Sequence, residues 1–327
     1  MTESGESGTR SPSLVTFGET MIRFSPSEGT RIETATELEF RSAGAESNVA
    51  IAAANLGTST AWLSKLPDSP LGRKVVRDVR QNGVEPNVAW SDDGRQGAYY
   101  LEHGPEPRGI DVIYDRTDAA VTTATVDDLD IDAVRNADVF FTSGITPALS
   151  STLAETTQSL LQTARDAGVT TAFDCNYRSK LWSPSAAREA YESLFESVDL
   201  LFVPERDAID VLEIDGDAAA IATHLRETYG CSTVVVTRGE RGALAVDASG
   251  TVEQATFDAE TVDPIGTGDA FVGGFLAKRS EDGSTAESLR YGAATAALKR
   301  TMTGDHAVVT RSEVDALIDR DSGGISR

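Results

Sequence analysis

The chain is short of cations, sulfur and long apolar runs, and each shortage closes off a class of function. Five of its 29 basic residues are lysine, and 52 acidic residues leave a formal charge of −23. A surface of that sign repels phosphate backbones and anionic bilayers, so neither nucleic acid nor a membrane is an expected partner. Cys175 and Cys231 stand far apart without CxxC or zinc spacing, which predicts buried thiols and no disulfide framework. No segment has the length and apolarity of a transmembrane helix. Met1 to Ser13 is Ser, Gly, Glu and Thr rather than an apolar signal, so a cytoplasmic location is expected. There is no Gly-x-x-x-x-Gly-Lys-Ser/Thr phosphate loop and no His-Arg-Asp loop, so any nucleotide must bind in another way. No residue is assigned as a direct metal ligand.

What is present begins with dispersed acidity. Acidic side chains recur in almost every block, and self-repulsion of that size destabilises a compact fold in dilute salt. The pattern fits a halophilic archaeon with a salt-rich cytoplasm. With 327 residues, 40% hydrophobic, the chain has ample core.

Hydrophobic periodicity predicts strands at Leu14–Phe17, Arg31–Phe40 and Ala61–Leu66, and helices after Gly44 and from Leu71 to Val79. Gly97–Leu101 and Ile110–Tyr114 read as a hairpin with a long turn. From Asp138 onward strands alternate with helix-length spacers, which implies a mostly parallel sheet covered on both faces. One continuous α/β domain is therefore expected over residues 14–318. A small β-sheet lid, from about 19–42 and 96–118, is inserted in it. Residues 1–13 and 319–327 read as disordered tails.

The stretch around which the chain is organised is Asp263-Pro264-Ile265-Gly266-Thr267-Gly268-Asp269, followed by an apolar helix with Gly273 and Gly274. Two glycines spaced by one residue permit a tight turn, and the unpaired N–H groups of a helix start suit an anion. Asp269 in the first turn is placed either to complement the helix dipole or to take a proton from an attacking hydroxyl. Gly44-Ala45-Glu46-Ser47-Asn48 opens another helix. Thr237-Arg238-Gly239-Glu240-Arg241-Gly242 lies at the carboxyl end of a strand, where open α/β sheets place ligands, or forms a simple hairpin turn. Asp174-Cys175-Asn176-Tyr177-Arg178 occupies a second such end.

Gly266-Thr267-Gly268-Asp269 resembles the signature of the ribokinase (PfkB) family of carbohydrate kinases, which usually reads Gly-Ala-Gly-Asp. The likeness runs from about Leu14 to Ile318, with Lys180-Leu181-Trp182 and Gly18-Glu19-Thr20-Met21-Ile22-Arg23-Phe24 matching the 2-keto-3-deoxygluconate kinase branch. It implies a ribokinase-like three-layer α/β/α sandwich and ATP-dependent phosphorylation of 2-keto-3-deoxygluconate, with Mg²⁺ carried by ATP. It assigns Asp269 as base and Gly266, Thr267 and Gly268 to the transferred phosphoryl group. The sugar acid is expected at Gly44, Ala45, Glu46, Ser47, Asn48, Tyr99, Tyr114, Arg116, Arg178 and Asp305. Nucleotide is expected at Asn176, Arg178 and residues 237–242. Two departures stand out: Glu19 where many members carry an early sugar-binding Asp, and Pro204 where relatives have Asn near the metal's water shell. A fructokinase or other sugar kinase, and a non-catalytic sugar or nucleotide sensor, are the alternatives. A homo-oligomer is expected from the exposed lid edge.

Overall fold

A computed structural model describes residues 11–104 and 107–322. Its thirteen strands are β1 (Leu14–Phe17), β2 (Met21–Ser25), β3 (Glu39–Ala43), β4 (Thr60–Pro67), β5 (Glu85–Ser91), β6 (Ala98–His103), β7 (Ile110–Asp115), β8 (Val139–Ser143), β9 (Thr170–Asp174), β10 (Leu200–Pro204), β11 (Thr233–Thr237), β12 (Ala243–Asp247) and β13 (Gly250–Gln254). Nine form one sheet in the order β13-β12-β11-β10-β9-β8-β1-β4-β5, and four form a second in the order β3-β2-β6-β7. In the large sheet every pairing from β11 to β5 is parallel, and the β11–β12 and β12–β13 pairings are antiparallel.

The central strands read as unbroken apolar runs because both faces are covered. In β11, Val234 and Val236 face one core while Val235 faces the other, as a two-residue period requires. Helices Ser151–Asp166, Pro184–Phe195 and Ala218–Tyr229 cover the first face. Helices Ala45–Asn55, Thr267–Arg279 and Thr285–Arg300 cover the second. The result is the expected three-layer α/β/α sandwich. Gly273 and Gly274 serve close packing within it: a Cβ on Gly273 would come within 2.5 Å of Ala52, and one on Gly274 within 2.5 Å of Thr295. Among the described residues no helix is long and apolar enough to cross a membrane.

Three expectations need correction. Arg31–Phe40 is not a strand: Ile32–Thr34 is a 3₁₀ turn, and the strand is Glu39–Ala43, whose place is set by antiparallel pairing with β2. Edge strand β5 was not anticipated. The last helix, Arg311–Ser322, carries 319–322, residues assigned above to a disordered tail; residues 1–10 and 323–327 lie outside the described residues.

Candidate active site

The carboxyl ends of β9, β10 and β11, and Ile145 just beyond β8, open into a cavity of about 410 Å³ that the small sheet roofs with Met21, Tyr99, Leu101, Val112 and Tyr114. Ligand sites in parallel sheets lie at this edge because crossover helices start there with free N–H groups. Gly44, Ala45, Glu46, Asn48, Tyr99, Tyr114, Arg116, Asn176, Arg178, Thr237, Asp305 and Gly266 to Asp269 all line the cavity. A second cavity of about 340 Å³ adjoins it, lined by Gly239, Glu240, Gly242, Phe257, Phe271 and Ala293. Thr237, Pro264, Thr267 and Gly268 belong to both. The Gly266–Asp269 turn is thus the threshold between two chambers.

That turn is fixed from several directions. Gly266 caps helix Thr267–Arg279 with φ +76°, and a Cβ there would fall 2.1 Å from the Asp305 carbonyl oxygen. Only glycine combines that φ with that approach. The Asp263 carboxylate accepts from the N–H of Ile265 at 2.9 Å and of Gly304 at 3.0 Å. Beneath it the fully buried Lys299 donates to the Asp263 carbonyl at 3.1 Å. From the small sheet Arg23 donates to Asp305 at 2.6 Å, and its guanidinium lies 3.8 Å from Asp263. Tyr99 donates to the other Asp305 oxygen at 3.0 Å. The two sheets are therefore clasped at the turn by buried charges of balanced sign.

Asp269 accepts a hydrogen bond from Asn48 Nδ2 at 2.7 Å, so Asn48 points at the acid rather than offering its amide freely. Burial pushes the Asp269 carboxyl up to about 6, opposed by that hydrogen bond and by Arg178. Asp174 is pushed up to about 8 by burial and by the charges of Asp269 and Asp207. Glu46 reaches about 7, again through burial, although its Oε1 accepts from Ser143 and Thr146. Carboxyls with separated proton affinities around one cleft are the usual setting for proton transfer.

Arg116 is not a free cation. Its Nη2 lies 3.3 Å from Glu19 Oε2 and donates to Met21 Sδ at 3.1 Å, and its guanidinium stacks 4.6 Å from the Tyr114 ring centroid. Its Nε and Nη1 have no hydrogen-bond partner among the described residues.

Three predicted residues fall outside both chambers. Ser47 is buried, accepts from Thr20 and donates to the Gly44 carbonyl, so it holds the helix start. Arg238 turns toward Glu253 at 2.6 Å and the Arg241 carbonyl, while Arg241 pairs with Glu205. Nearby carboxylates capture both guanidiniums, and the segment 237–242 contributes Thr237, Gly239, Glu240 and Gly242 instead. Gly44 is required by protein packing, since a Cβ there would lie 2.0 Å from the Glu19 carbonyl oxygen. Motif spacing carries no sign of the structural parts played by Asp263 and Lys299 or of the clasp made by Arg23.

Comparison with known proteins places this geometry. The profile of the pfkB family carbohydrate kinases matches residues 11–311. A 2-dehydro-3-deoxygalactonokinase of Haloferax volcanii is 63% identical over 96% of this chain and 99% of its own length. A 2-dehydro-3-deoxygluconokinase of Bacillus subtilis is 29% identical over 89% of this chain and 90% of its own. The crystal structure of 2-dehydro-3-deoxygluconokinase from Thermotoga maritima superposes with a TM-score of 0.88 at 30% identity, covering 94% of this chain and 98% of that one.

Proposed function

The chain belongs to the pfkB family of carbohydrate kinases, and from that premise we propose that it transfers the γ-phosphoryl group of ATP to the terminal hydroxyl of a 2-dehydro-3-deoxy sugar acid. The observation that carries the reading is the place of Asp269: a carboxyl held by Asn48 in the first helical turn, where the two chambers meet. At neutral pH a carboxyl of pKa about 6 is mostly ionised yet basic enough to accept the acceptor's proton. The N–H groups of the Gly266–Asp269 turn stabilise charge on the phosphoryl group in flight. Gly268 supports this, since a Cβ there would meet no protein atom within 4 Å and the space beside it is open to a ligand.

The second chamber fits a nucleotide. Phe257, Phe271 and Ala293 offer a flat apolar lining, with backbone from Gly239 and Gly242 close by. Among the described residues no three acidic, His or Cys groups converge as a metal site. The residues fit a Mg²⁺ that takes most of its oxygens from phosphate and water, with Asp174 the carboxyl beside the transfer point. When bound, that ion neutralises charge on the phosphates.

The sugar acid is recognised by Arg116, a residue lining the first chamber whose Nε and Nη1 have no hydrogen-bond partner among the described residues. The 63% identity to the Haloferax enzyme favours the galactonate epimer as the preferred acceptor. Lys180-Leu181-Trp182, with Leu181 lining the cavity, and the Thermotoga neighbour favour the gluconate epimer as the second reading. A substrate panel with ATP in molar KCl, comparing both keto acids with fructose and ribose, tests the proposal. Turnover of a keto acid well above fructose supports it, a preference for fructose replaces it with a fructokinase, and no turnover of any sugar turns it into a sensor.

A further inference from the structure

The first chamber holds five carboxyls, Glu19, Glu46, Asp174, Asp269 and Asp305, against two guanidiniums, Arg116 and Arg178. Anionic ligands need that imbalance relieved. Asp305 has Arg23 and Tyr99, Glu46 has two hydroxyl donors, and Asp269 has Asn48. Glu19 differs from all of these. It is 5% exposed, and neither carboxylate oxygen has a hydrogen-bond partner among the described residues. The charge beside it is Arg116, 3.3 Å away, and space for it is left by Gly97, where a Cβ would fall 2.6 Å from Glu19 Oε1. A buried carboxylate without hydrogen bonds is costly, and the Arg116 charge is the compensation the structure gives it.

We propose that Glu19 is a specificity-determining residue of the acceptor site, which takes up a proton as a sugar acid binds and thereby releases Arg116 to the substrate's carboxylate. This rests on the sugar-acid reading above. Two carboxylates held against one guanidinium disfavour each other's charge, which drives protonation of one of them. Glu19 is the one, because burial already holds it above the ordinary carboxylate range against the opposing pull of Arg116, whereas a 2-keto acid is a stronger acid. The proton comes from solvent and ends on a Glu19 oxygen, whose new O–H can donate to the bound carboxylate or keto group. No other bond changes. A neutral sugar leaves the Glu19–Arg116 pair intact and draws no proton, so the same two residues that admit a keto acid disfavour a hexose.

Glu46, Asp174, Arg178, Asp269, Asp305, Tyr99 and Tyr114 also face the chamber, so the proton must be assigned by substitution. The test is titration calorimetry of 2-keto-3-deoxygluconate and 2-keto-3-deoxygalactonate, without nucleotide, in paired buffers of different ionisation enthalpy across about pH 5 to 9. Wild-type protein should take up a proton number that peaks near about one per site. Glu19→Gln should lower the uptake several-fold and flatten the pH dependence of Kd, and fructose should draw none from the wild type. Keto-acid binding without uptake at any pH, or undiminished uptake in Glu19→Gln, overturns the inference and leaves the sugar-acid reading standing. Binding of fructose but of neither keto acid overturns both. Because the uptake is read first in unaltered protein, a Glu19→Gln chain that fails to fold does not remove the test.

Discussion

Replacing Asp269 by Asn should stop turnover while making the protein more stable. The amide keeps the volume of the acid, and its carbonyl oxygen can still accept from Asn48 Nδ2, so no buried donor is orphaned. What disappears is the base, worth about 10² to 10⁴ in kcat. What also disappears is the cost of holding a carboxylate in a desolvated turn. Burial raises this group from 3.8 to about 6, so the folded protein keeps the proton to higher pH than the unfolded chain does. The stability it contributes is fully present below its unfolded pKa and is lost as pH rises through about 6. A shift of about two units makes the ionised acid a burden of roughly 2 to 3 kcal/mol at pH 7, which the amide does not carry. The assays are kcat with saturating ATP and keto acid, and a melting curve at pH 5 and pH 7.5 in the same KCl. Asp269→Asn should melt a few degrees higher at pH 7.5, with the gap narrowing to about half at pH 5. Wild-type kcat should fall about tenfold per unit below pH 6, because the base must be deprotonated. A variant that turns over at near wild-type rate would make Asp269 a helix-dipole partner and nothing more. A variant that melts lower at pH 7.5 would show that the carboxylate is structural and refute the desolvation argument.

Arg116→Ala should raise KM for the keto acid by about tenfold or more with KM for ATP little changed, and Arg116→Lys should rescue only in part, since a point charge cannot reproduce the guanidinium fork; equal KM values for variant and wild type would remove Arg116 from substrate recognition. Gly266→Ala must escape both φ +76° and a 2.1 Å approach to Asp305, so it should lower Tm and kcat together, whereas Gly268→Ala, with no protein atom near its Cβ, should keep Tm and raise KM for ATP. Activity and Tm should both climb as KCl rises from dilute buffer toward 1 M, where the Debye length shrinks to about 3 Å and the repulsion behind the −23 charge is screened; equal Tm and kcat at low and high salt would sink the salt-adapted reading of the surface.

The parallel sheet was legible because its signal is local and repeated. Val234, Val235 and Val236 are apolar on both faces of one strand, and helix Pro184–Phe195 announces itself with a Ser183 cap and proline in its first turn. Where that signal fades, the reading failed. β5, Glu-Pro-Asn-Val-Ala-Trp-Ser, is an edge strand paired on one side, mostly half-exposed, and its proline and polar residues look like a loop. β3 was placed too early because the alternation of Thr and Glu before it mimics a strand, while the true position follows from the pairing of Met21 with Ala43.

The candidate site divides along the same line. Its contiguous pieces, the Gly-Thr-Gly-Asp turn and the 44–48 helix start, could be read because each is held together by bonds a few residues apart. The charges that hold the turn in place pair only after folding: Arg23 from the small sheet, and Lys299 and Asp305 from beyond the following helix, converge with Asp263 at the start of the turn. By position alone Lys299 is one of two cations in the last turn of its helix, where the helix dipole favours positive charge. One clue was available: Leu289, Gly292, Ala296 and Lys299 recur at three- and four-residue intervals, which puts the lysine on the buried stripe of its helix. In a chain with five lysines, a lysine at an apolar position is a costly choice unless carbonyls and carboxylates await it. The structure supplies both in the Asp263 carbonyl and the nearby Asp263 and Asp305 charges, which oppose the loss of its proton that burial promotes. The same reasoning separates the two classes of buried charge in this protein. Those that found partners across the chain, such as Lys299 and Arg23, hold the turn, and the one whose oxygens found no hydrogen bond, Glu19, is left facing the chamber where a ligand would enter.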